Sequence, residues 1–74
     1  MHFPLYRRLT NKKSFYKVKS EFEFTEIQLI GNKKLIQHFT VSQYPDKLFL
    51  MEVISGNYPY EISSSDEVEN LLAE

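Results

Sequence analysis

Tyr16-Lys17-Val18-Lys19-Ser20-Glu21-Phe22-Glu23-Phe24-Thr25-Glu26-Ile27 is the stretch on which the fold turns. It has an echo further along, Tyr60-Glu61-Ile62-Ser63-Ser64-Ser65-Asp66-Glu67-Val68-Glu69-Asn70-Leu71. The two align without gaps as aromatic, x, β-branched, x, Ser, x, x, Glu, apolar, x, x, aliphatic. Alternating apolar residues at the start of each copy make a short strand, and Ser followed three residues later by Glu is the reciprocal capping box of a helix N-terminus. Each copy predicts strand, cap, helix, with Ser20 and Glu23 closing one helix and Ser64 and Glu67 the other. If residues 21–29 extend instead, the chain becomes a β-meander with one C-terminal helix.

Working outward, residues 14–19 form the first strand, with Tyr16 and Val18 toward the core and Phe15, Lys17 and Lys19 outward. A helix over residues 21–30 follows, its acids in the first turn where the helix dipole favours them, and Gly31-Asn32 ends it. Residues 34–42 alternate as a second strand, Leu35, Phe39 and Val41 on one face and Ile36, His38 and Thr40 on the other. Pro45-Asp46 opens a helix that runs to Gly56; a hairpin whose second strand is 48–54 is the alternative. A short strand over 58–62 starts at or near a sheet edge because of Pro59, and a helix from Ser65 carries Val68, Leu71 and Leu72 on one face. The expected fold is a small α+β domain over residues 14–74, a three-stranded sheet with two to three short helices on one face, preceded by a basic arm over residues 1–13.

The pattern Tyr16-Lys-Val18-x-Ser20-x-x-Glu23-Phe24-x-Glu26-Ile27-Gln-x-Ile30-Gly31, with the later Pro45-Asp46-Lys47-x-Phe49-x-Met51-Glu52, resembles a set of small bacterial proteins of unknown function. The resemblance implies no activity and no site, and it supports helices over 21–30 and 46–55.

Composition narrows the function classes. A chain of 74 residues buries only roughly 60–65% of its unfolded surface, close to the lower limit for a self-sufficient core. With no cysteine it has neither a disulfide framework nor a thiolate metal site, which leaves self-association as the expected supplement and a reducing, cytoplasmic setting as the expected location. No apolar run approaches membrane-spanning length, and the opening Met1-His2-Phe3-Pro4-Leu5-Tyr6-Arg7-Arg8 lacks the apolar stretch of a signal peptide. The charge is lopsided: Arg7, Arg8, Lys12, Lys13, Lys17 and Lys19 give residues 1–19 a net +6, and beyond them ten acids face three lysines for −7.

Catalytic equipment is not evident. His2 and His38 have no second ligand at metal-binding spacing, so no metal and no cofactor is expected. The serines read as helix caps, and none sits in a Gly-x-Ser-x-Gly elbow. The acid clusters fall where first helical turns are expected, solvated and simply ionised. Two binding surfaces remain. Phe15, Ile36, His38, Phe49 and Met51 form a candidate interface, because the apolar supply exceeds what one small core encloses. The basic, aromatic-interleaved stretch from Arg7 to Lys19 is a candidate nucleic-acid contact, or else a strip that docks electrostatically on the acidic C-terminal half through Glu67, Glu69 or Glu74. The expected function is a small non-enzymatic protein-interaction module that self-associates, with a nucleic-acid-binding module as the alternative.

Overall fold

A computed structural model describes residues 2–74. Four strands come first, β1 (Leu5–Leu9), β2 (Ser14–Val18), β3 (Glu23–Ile30) and β4 (Lys33–Thr40); α1 (Tyr44–Ser55), β5 (Tyr60–Ile62) and α2 (Ser65–Ala73) follow. The strands make one five-stranded sheet in the order β4-β3-β2-β1-β5, antiparallel throughout. The three-stranded sheet with helices on one face is therefore corrected, and the β-meander with a C-terminal helix describes the chain better.

The stretch around Ser20 decides this outcome. Residues 23–30 pair along their whole length with β4, from Glu23↔Thr40 to Ile30↔Lys33, and residues 24–28 also pair with β2. Ser20 caps no helix. Its Oγ accepts from the Phe22 amide at 3.1 Å, while the Lys19 and Ser20 amides both converge on the Glu23 carbonyl at 2.9 and 3.2 Å, closing the turn between β2 and β3. A strand with partners on both sides fills a full hydrogen-bond ladder, and that outweighs a local box of two bonds. At the other end Gly31, with φ +61°, supplies the left-handed first position of a two-residue hairpin turn.

The expected arm also changes. Residues 5–9 form a strand between β2 and β5, because Leu5↔Val18 and Leu9↔Tyr60 bring aliphatic and aromatic partners to its two ends. Residues 44–55 are helical, with Pro45 in the first turn and Gly56 at φ +71° ending the helix. In the second copy of the repeated pattern Ser64 does cap its helix, accepting from the Glu67 amide at 3.1 Å.

The sheet carries one helix on each face. On one side α1 sends Leu50 and Val53 against Tyr16, Val18, Phe24 and Val41; on the other α2 sends Val68 against Phe15 and Ile27. Phe15, expected to face outward, is buried beneath α2. Alternation along a strand sends neighbours to opposite faces, so β2 is apolar at successive positions because both of its faces are covered.

Candidate interaction surface

Two adjacent arginines on β1 each hold a different helix. Arg7, on the α1 face, donates from Nη2 to the Ile54 carbonyl at 2.9 Å, in the last turn of α1 where carbonyls lack helical partners. Arg8, on the α2 face, donates from Nε to Glu61 at 2.5 Å and from Nη1 to Glu67 at 2.8 Å. Ser63 Oγ donates to the same Glu67 carboxylate at 2.6 Å; this bond first, and Arg8 second, hold Glu67 below its ordinary pKa. Two residues on, Glu69 takes the Lys17 ammonium at 2.7 Å and the Tyr6 hydroxyl at 2.6 Å. That hydrogen bond, then burial, pushes the Tyr6 hydroxyl up to about 12.

The six candidate cations thus separate. Arg8 and Lys17 meet carboxylates of α2, as electrostatic docking requires, whereas Arg7 meets a carbonyl and no acid. Lys12 and Lys13 occupy the exposed turn between β1 and β2, with Lys12 at φ +60°, and Lys19 is exposed beyond β2. Of the proposed caps, Ser64 acts as one, Ser20 and Glu23 do not, and Glu67 spends its carboxylate on Ser63 and Arg8.

The five candidate interface residues do not form one patch. Phe15 is in the core and Ile36 is half-buried beside it. His38 lies on the same face of β4, exposed, with Nδ1 2.8 Å from Thr25 Oγ1. This is a hydroxyl–imidazole pair, but Thr25 is only 1% exposed, so its oxygen is not offered to a substrate. Among the described residues no group of three or more His, Cys, Asp or Glu could hold a metal ion. Phe49 and Met51 belong to the opposite side, Phe49 in an aromatic cluster and Met51 on the outward surface of α1.

That opposite side carries the exposed apolar surface. Phe24 and Phe39 stack with centroids 4.9 Å apart, and Phe49 meets Phe24 at 5.8 Å and Tyr16 at 6.2 Å. Together with Glu26, Thr40, Val41 and Asp46, Phe24, Phe39 and Phe49 line a cleft of about 320 Å³ between α1 and the outer half of the sheet. Burial raises the Tyr16 hydroxyl pKa, and the Glu26 carboxylate raises it further. Leu35 and Phe39 on β4 remain about 40% exposed, and Tyr44, Leu48 and Met51 along the outer stripe of α1 are more exposed still. Grouping Leu35 with Phe39 was open to the alternation of residues 34–42; the uncovered edge beside them was not, because it depends on β3 being a strand. No helix among the described residues is long and apolar enough to cross a membrane. No protein family, curated protein or solved structure matches the chain.

Proposed function

We propose that this chain is a small non-enzymatic protein-interaction module of the cytoplasm that works by self-association. One observation carries the proposal: after both small cores are built, Leu35, Phe39, Tyr44, Leu48 and Met51 are still exposed, in a chain with no cysteine to cross-link it. Apolar surface left over at this size favours a partner that covers it. The placement of the cations supports this reading over nucleic-acid binding, since Arg7, Arg8 and Lys17 are engaged within the chain. Light scattering behind a sizing column at tens of micromolar is the test. A dimer or larger species is expected. A monomer that binds mixed oligonucleotides at low salt and releases them as salt rises would overturn the proposal in favour of nucleic acid.

A further inference from the structure

The two edges of the sheet are built differently. The β5 edge is three residues long and follows Pro59, so it offers little backbone to another strand. The β4 edge is eight residues long, contains no proline, and carries no acid or lysine from Leu35 to Thr40. Such an edge is a template for pairing.

Its hydrogen-bonding direction follows from the hairpin. Ile30 and Lys33 close a two-residue turn and so form a hydrogen-bonded pair, after which the ladder alternates. Residues 35, 37 and 39 therefore aim their amides and carbonyls at β3. The Val41 amide, next in that series, donates to the Phe22 carbonyl at 2.6 Å, as the alternation requires. Lys34, Ile36, His38 and Thr40 aim theirs out of the sheet.

We infer that β4 pairs antiparallel with β4 of a second copy about a two-fold axis through Gln37, joining the two sheets into one of ten strands. This rests on the proposed self-association and names its surface. One register uses every outward-facing backbone group: Ile36 opposite the second copy's His38, and Lys34 opposite its Thr40. On the α1 face that register sets Leu35 against Phe39 and Phe39 against Leu35, with Gln37 against Gln37 between them. The exposed apolar residues of β4 are thus covered by their own counterparts, the self-complementarity a two-fold interface demands. Charge does not oppose it. The two lysine-bearing ends of β4 are held apart, and Lys34, whose ammonium is engaged by the Leu71 carbonyl and the Glu74 carboxylate of its own chain, falls beside the uncharged Thr40 of the second copy. Because the β5 edge is short, the assembly closes at two.

Cysteine cross-linking tests the register directly, since the chain has no cysteine of its own. Across a non-hydrogen-bonded antiparallel pair the Cα atoms are about 4.5 Å apart, within disulfide reach. Gln37→Cys should convert under mild oxidation to a species of twice the mass, while Leu35→Cys, about 13 Å from its counterpart along the strand, should not. Gln37→Lys should weaken the dimer about tenfold or more by setting like charges on the axis, and mixing it with Gln37→Glu should restore dimers. A dimer that cross-links through Met51→Cys but not Gln37→Cys overturns edge pairing and leaves self-association standing. A monomer in which neither variant cross-links removes both.

Discussion

The Ser64 hydroxyl satisfies the Glu67 amide, one of the donors that a helix start leaves without a partner, so Ser64→Ala should cost about 1 kcal/mol in urea unfolding. Ser20→Ala should stay within about 0.5 kcal/mol, because its hydroxyl serves an exposed turn. The Ser64 cap was thus legible from its residues, though not the reciprocal half of its box, because the Glu67 carboxylate turns to Ser63 and Arg8. The Ser20 box fails because Ser, x, x, Glu specifies a local option that a ladder on both sides of residues 24–28 can override. Side chains facing α2 also set a pH window. Glu67 and Glu69 have lowered folded pKa values, so their contribution is present above the ordinary value near 4.5 and disappears as pH falls through the folded values. Tyr6 is raised from 10 to about 12, so its contribution is complete below 10 and is lost between 10 and 12. The unfolding midpoint against pH should show a plateau with both limbs, and Tyr6→Phe should reduce the alkaline one and, because the Tyr6 hydroxyl also helps hold Glu69 low, weaken the acid one by a smaller amount.

Among the elements, β3 and β4 stand or fall with their turn. Gly31 has nothing within 4 Å of an added Cβ, so Gly31→Ala tests backbone conformation alone and should cost about 1–2 kcal/mol by chemical denaturation. The Gly-Asn pair at 31–32 was a hairpin signal as well as a helix ending, and choosing between them required knowing what residues 21–30 do. Those residues hide a strand because Phe24, Ile27 and Ile30 recur at near-helical spacing, and the alternation Glu26-Ile27-Gln28-Leu29 is too short to stand out against it. The two-sided burial of β2 made Phe15 look outward. Residues 44–55 and 65–73 were legible as helices, since Pro45, Gly56 and Ser64 act as local punctuation that no pairing opposes.

At the scale of the whole molecule the sheet separates two small cores. Ile27→Val beneath α2 should cost about 0.5–1.5 kcal/mol and Leu50→Ala beneath α1 about 2–5 kcal/mol. Because the two sites share no packing layer, the double variant should equal the sum within about 0.5 kcal/mol in equilibrium denaturation. A departure larger than that would mean the sheet transmits strain between its faces. The β4 edge was out of reach of the sequence, because Leu35, Gln37 and Phe39 become an edge only once five strands are placed in order. The position of β1 has one more consequence, which concerns synthesis on the ribosome. β1 emerges before every other strand but takes its second neighbour, β5, from residues 60–62, and Phe15 and Ile27 await a cover from residues 65–73. While residues 5–40 are clear of the ribosome and 60–73 are not, β1 has one open side and Phe15 and Ile27 lie bare on one face. Chains truncated before residue 60 should therefore aggregate more readily than the full chain, as turbidity would report.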